Sequence, residues 1–174
     1  MAIYYEYHPG RVIFVTLAAH KNMKILHDKV SAIRQGWDDV AKRHDIEVIA
    51  YAILPNHIHY VVDTQQISYN TTLHSFKLFC GKHYHATHVT GRKPLWDPSA
   101  FIHVLRSKKE IERHIDFVHY NPVRHGLAKM PWDWSHSSFR NFVKHGYYFK
   151  DWTLDHKAVA KLKELDDTDV PTTE

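Results

Sequence analysis

The segment from Ile46 to Asp63 restricts the possible folds of this chain more than any other. Ile46 to Leu54 is an apolar, β-branched run, Pro55-Asn56 breaks it with turn chemistry, and His57 to Asp63 resumes it. Two extended runs joined by so short a link read as neighbouring antiparallel strands. Side chains alternate across a strand, so His57 and His59 share one sheet face and Ile58 and Tyr60 share the other. If helices cover the Ile58 face, the two imidazoles stand together on an open face, where they can share a metal ion.

The flanking sequence supplies such helices. Arg11 to Ala18 reads as a first strand. Asn22 is positioned to cap a helix in which Ile25, Leu26, Val30, Ile33, Trp37, Val40 and Ala41 recur at helical spacing as far as Arg43, with Gly36 as a weak point. A second helix over about 71–88 carries Leu73, Phe76, Leu78, Phe79 and Cys80, and Gly91-Arg92-Lys93-Pro94 breaks it. Ala100 to Leu105 fits a fourth strand. Ser107 caps a third helix with Ile111, Ile115 and Val118 on its buried side, and Pro122 predicts its end near Tyr120 or Asn121. A short helix from about Ser137 to Lys144 follows the cluster Trp132-Asp133-Trp134. The order β-α-β-β-α-β then helix predicts an α+β, ferredoxin-like antiparallel sheet with helices on one face and additional C-terminal helices. One domain is expected over residues 1–152, followed by a polar tail over 153–174.

Composition narrows the function. With 44% hydrophobic and 13% aromatic residues in 174, the chain can bury a core. No apolar run approaches the roughly 20 residues that span a bilayer, and the N-terminus lacks a signal peptide's shape. The single cysteine, Cys80, excludes an internal disulfide. A cytoplasmic protein is expected. The net charge of +4 points only weakly to nucleic acid. Seventeen histidines make a chance His-x-His triplet expected, and His83-Tyr84-His85 is one. In a helix its two imidazoles diverge by about 200° and share an ion poorly.

The segment Leu54-Pro55-Asn56-His57-Ile58-His59 resembles the HUH motif of single-tyrosine transposases. Ile115-Asp116-Phe117-Val118-His119-Tyr120-Asn121-Pro122-Val123-Arg124-His125-Gly126-Leu127 is similar to the second signature of their REP-associated branch. Trp96 with Phe101, His103 and Arg106, and the run from Trp132 to Phe139, match the same branch, so the resemblance spans about residues 10–152. It implies a bacterial, metal-dependent endonuclease and strand transferase acting on single-stranded DNA at REP-like hairpins, as a monomer. It implies a divalent ion, Mg²⁺ or Mn²⁺, held by His57, His59 and Asn121. The ion polarises a phosphate that a tyrosine attacks to form a 5′-phosphotyrosine.

The tyrosine belongs one helical turn before Asn121, where this chain has Phe117. Phenylalanine has no hydroxyl to attack phosphate. Three readings follow: an engineered Tyr→Phe form, a natural relative that only binds, or substitution by Tyr120. A second departure is Ile102, where relatives often carry an acidic residue before His103. Two other functions compete with the silenced transposase. One is a non-catalytic hairpin-binding protein that keeps the fold, and the other is a metallohydrolase that activates water. Arg11, Arg92, Lys93, Arg106, Lys108, Arg113 and Arg124 are the candidate DNA contacts, although scattered cations are usually a solvated face. His119 reads as a surface histidine, and Trp132, Trp134 and Trp152 read as packing residues.

Overall fold

In the computed structural model, residues 8, 10–86, 94–155 and 159 are described. The strands are β1 (Val12–Ala18), β2 (Glu47–Ile53), β3 (His57–Asp63) and β4 (Phe101–Val104), and the helices are α1 (Val30–His44), α2 (Tyr69–Ala86), α3 (Lys108–Arg124) and α4 (Phe139–Lys144). β1 is buried on both faces, with Ile13, Val15 and Leu17 on one and Val12 and Phe14 on the other. That burial suits a central strand, and the sheet order is β2-β3-β1-β4 with every pair antiparallel. This is the ferredoxin-like arrangement expected from the element order, and the strand limits fall within a residue of expectation. A bulge at Ile49 shifts the β2–β3 register, after which Ala50 pairs with Val61 and Ala52 with His59.

On the first face, α1 and α2 cover Ile58, Tyr60 and Val62. Trp37 is the hub, with ring centroids 4.6 Å from Tyr60 and 4.3 Å from Phe76. Gly36, read from sequence as a weak point, is where the two helices touch: a Cβ there would lie 3.0 Å from the Cys80 backbone. On the second face, α3 lies over Val12, Phe14, Ala50, Ala52 and Val61 and buries Ile111, Ile115, Phe117 and Val118 against them. The small Ala50 and Ala52 leave room for that approach. His57 and His59 do point to this face, but the face is not open. His59 is 1% exposed and His57 8%, because α3 has an apolar stripe of its own to bury.

Two helix limits depart furthest from expectation. Asn22 does not cap α1. It has φ 54 within a 3-10 turn (His20–Asn22), a second such turn spans Leu26–Lys29, and α1 begins only at Val30. Here the backbone bonds to the Pro55-Asn56 turn instead: Ala19 N–H donates to Asn56 O and Leu26 N–H to Pro55 O, both at 2.8 Å. Those long-range bonds take precedence over an early helix start. α3, in turn, passes through Pro122 to Arg124. The missing proline N–H falls within the last turn, and that turn is closed by bonds from Gly126 N to Val123 O and from Leu127 N to Pro122 O, both at 2.9 Å. Gly126, at φ +67, supplies the left-handed residue such a closure needs. Ser107 caps the other end, accepting from Glu110 N. The break at 91–93 and most of the tail lie outside the described residues. Among the described residues, no helix is long and apolar enough to cross a membrane.

Candidate functional site

β3 sets His57 and His59 side by side beneath the last turns of α3, with ring centroids 4.8 Å apart. Each ring is tied through Nδ1. His59 Nδ1 lies 2.9 Å from Oγ1 of Thr16, its direct cross-strand partner, and His57 Nδ1 lies 2.9 Å from Asn56 Oδ1. That leaves both Nε2 atoms, which are buried and have no hydrogen-bond partner. Asn121, wholly buried on α3, likewise has neither Oδ1 nor Nδ2 paired. Its carboxamide sits against both rings, close enough to raise the proton affinity of each.

An unpaired buried polar group costs about 1–3 kcal/mol, so several converging at one spot in a folded protein call for an explanation. The electrostatics narrow it. Burial, followed by the nearby His125, lowers the His57 pKa to about 4, with Asn121 opposing and Arg124 adding to the fall. Burial, with His57, His125 and Arg124, holds His59 well below the ordinary imidazole range. Both rings are therefore neutral at pH 7, the form that binds metals. Among the described residues no three His, Cys, Asp or Glu side chains converge to hold a metal ion. A third protein ligand would have to be of another type, and the Asn121 amide oxygen is a hard donor suited to Mg²⁺ or Mn²⁺. The residues present fit such an ion.

Phe117 lies one turn before Asn121 and is fully buried. Its ring packs edge-on against His59 at 5.2 Å and Phe14 at 5.6 Å, with the Arg124 guanidinium 5.7 Å from its centre. Tyr120 is partly buried against the core on this face, and the rings that touch His57 and His59 are those of Phe14, Phe117 and His125, not Tyr120. His125, 5.1 Å from His57, was not anticipated from sequence. The available signal was its position one helical turn beyond Asn121. Thr16 and Asn56 were also missed, since cross-strand register and turn geometry place them, not spacing.

The candidate cations separate. Arg124 belongs to the site. Arg11 is held by Asp63 through bonds of 3.0 and 2.8 Å, at the β3 end opposite His57. Arg106, Lys108 and Arg113 lie around the start of α3, and Lys108 is about 20 Å along the helix from Asn121. Arg92 and Lys93 lie outside the described residues. His103 pairs with Glu110 at 2.6 Å and stacks on His114 at 5.4 Å, beside the site rather than in it. His119 is not a surface residue. It is wholly buried, bonded to Ser138 Oγ at 2.7 Å and ringed by Phe139, Phe142 and Tyr148, and burial lowers its pKa to about 3. The α4 packing that encloses it was not visible in the sequence of α3. The tryptophans pack as expected: Trp134 Nε1 donates to Ile53 O at 3.1 Å, Trp152 lies 4.5 Å from Tyr148, and Arg140 and Lys150 lie over Trp132.

No protein-family model matches the chain. It is 27% identical over 148 residues to the REP-associated tyrosine transposase of Escherichia coli K12, covering 84% of this chain and 86% of that protein. A Haemophilus influenzae protein provisionally assigned to the same group is 27% identical over 158 residues, covering 84% of this chain and 90% of its own. Among solved structures, a REP-associated tyrosine transposase bound to a REP hairpin superposes with a TM-score of 0.74 at 26% identity, covering 89% of this chain and 93% of that one. The likeness read from four stretches of sequence thus extends to most of the chain and its fold.

Proposed function

On the premise of this likeness to REP-associated tyrosine transposases, we propose that the chain binds single-stranded DNA at REP-like hairpins around a divalent ion, with its strand-cutting step silenced at Phe117. The observation that carries the reading is the convergence of three buried side chains, His57, His59 and Asn121, whose ligand atoms are unpartnered and which adjoin Phe117. A divalent ion held there would polarise the scissile phosphate.

The chain's own groups do the rest. The neutral imidazoles and the Asn121 amide form the ligand set, burial excludes water, and Arg124 lends a cation to the phosphate. In the complete reaction a tyrosine oxygen at position 117 bonds to phosphorus, the 3′-oxygen leaves, and the phosphate stays on the protein. The Phe117 ring occupies that place without the oxygen, so the chain binds DNA and does not cut it.

The test is a denaturing-gel assay on labelled single-stranded DNA carrying a REP-like hairpin, with Mn²⁺ or Mg²⁺. Phe117→Tyr should form a covalent adduct at a rate at least about 10³-fold above this chain. Hairpin binding without an adduct from either protein would leave a binding module. Cleavage by the unaltered chain without an adduct would instead indicate a hydrolase that uses water.

A further inference from the structure

The two nitrogens of His57 are not equivalent, and a chain of side chains outside the proposed ligand set decides which one is free. His57 Nδ1 meets Asn56 Oδ1 at 2.9 Å, and Asn56 Nδ2 donates to Asn22 Oδ1 at 2.6 Å. In this arrangement the Asn56 carboxamide turns its NH₂ to Asn22 and its oxygen to His57. With its NH₂ committed to Asn22, Asn56 offers His57 only an oxygen. An oxygen can only accept, so the ring proton must sit on Nδ1, and the buried Nε2 is left as a bare lone pair.

The backbone around Asn22 is shaped for this contact. Lys21 and Asn22 both adopt left-handed conformations, at φ 53 and 54, which non-glycine residues seldom do. Bonds on either side, from Ala19 N to Asn56 O and from Leu26 N to Pro55 O, clamp this strained turn against the Pro55-Asn56 corner. The strain is local, and what it delivers is the Asn22 carboxamide at the Asn56 amide.

We infer that Asn22 and Asn56 are positioning residues that hold His57 in the Nδ1–H tautomer, so that Nε2 faces the site ready to accept a metal ion. The inference rests on the metal-site reading above. Groups that orient a ligating imidazole through its other nitrogen typically change metal affinity by about 10–100-fold when removed.

The experiment reads the tautomer without metal and affinity separately. Nitrogen-edited NMR of the metal-free protein should show His57 protonated on Nδ1. Asn56→Ala should move the proton towards Nε2 and weaken Mn²⁺ binding about 10–100-fold. Asn22→Gly suits the left-handed backbone while deleting the carboxamide. It should shift the tautomer the same way by a smaller amount, with the thermal midpoint confirming that the variant folds. Asn56→Asp should keep the Nδ1–H tautomer, because a carboxylate accepts without needing orientation, and adding Asn22→Gly to it should then change nothing. An Nε2–H tautomer in the unaltered chain would overturn the inference. So would Asn22→Gly that leaves both tautomer and Mn²⁺ affinity unchanged. An Nδ1–H tautomer in a chain that binds no Mn²⁺ would uphold the relay and sink the metal site instead.

Discussion

The two faces of the sheet are equally dry and solve that condition in opposite ways. On the first face, Trp37, Tyr60 and Phe76 interlock beneath α1 and α2, and the unpaired polar atoms among the described residues there include the indole nitrogens of Trp37 and Trp96. On the second face apolar side chains surround His57, His59, His114, His119 and Asn121, all of them buried. There, unpaired atoms converge. The contrast teaches that the first face is arranged for stability, whereas the second leaves polar atoms of His57, His59 and Asn121 unpaired at a cost to stability.

The contrast can be broken by perturbing one face and reading the other. The largest effect is expected from Trp37→Ala, which should cost about 3–5 kcal/mol in urea unfolding. Mn²⁺ affinity of the folded fraction should not change, and a fall would mean the faces are not independent. Next comes acid. The His57 pKa in the folded protein, about 4, lies below its ordinary value of 6.5, so between those values the unfolded chain binds a proton that the folded one does not. Its contribution is complete above about pH 6.5 and is lost as the pH falls towards 4, amounting to roughly 3 kcal/mol. His119, with a pKa near 3, extends the loss to lower pH. Urea midpoints between pH 7 and 4 should therefore drop steeply, and His57→Phe should flatten the curve. A curve that keeps its slope would show that these rings are not neutral and buried. The smallest effect has the most telling sign: Asn121→Leu should leave the metal-free protein about 1–2 kcal/mol more stable, because it removes unpaired buried groups. On the proposed metal site, it should also abolish stabilisation by Mn²⁺. A loss of stability without metal would mean that the carboxamide supports the fold itself.

How far the sequence could be read follows from the same division. Alternation and β-branching placed the strands, because strand faces are set by neighbours in sequence. The shared face of His57 and His59 was legible for that reason, and the nearness of Asn121 and Phe117 to it through their likeness to a known signature. What could not be read depended on contacts between distant segments. The late start of α1 reflects bonds from Ala19 and Leu26 to the Pro55-Asn56 corner. The covered second face and the burial of His119 reflect how α3 and α4 pack. Thr16 enters the site only through the β1–β3 register, and His125 through the closure of α3 beyond Pro122. Thr16 has no local marker in the chain, and His125 has only its spacing from Asn121.

The way α3 ends carries a consequence for the order of events. Its C-terminal turn, closed at Gly126, brings Asn121, Arg124 and His125 to the two histidines. Peptide dipoles give the C-terminal end of a helix a partial negative charge of roughly half an electron. A nucleic-acid phosphate approaching the bare protein therefore meets repulsion from the helix end, softened by Arg124. A cation arriving there meets attraction. On the proposed reading, this end of the helix favours loading the ion before the DNA.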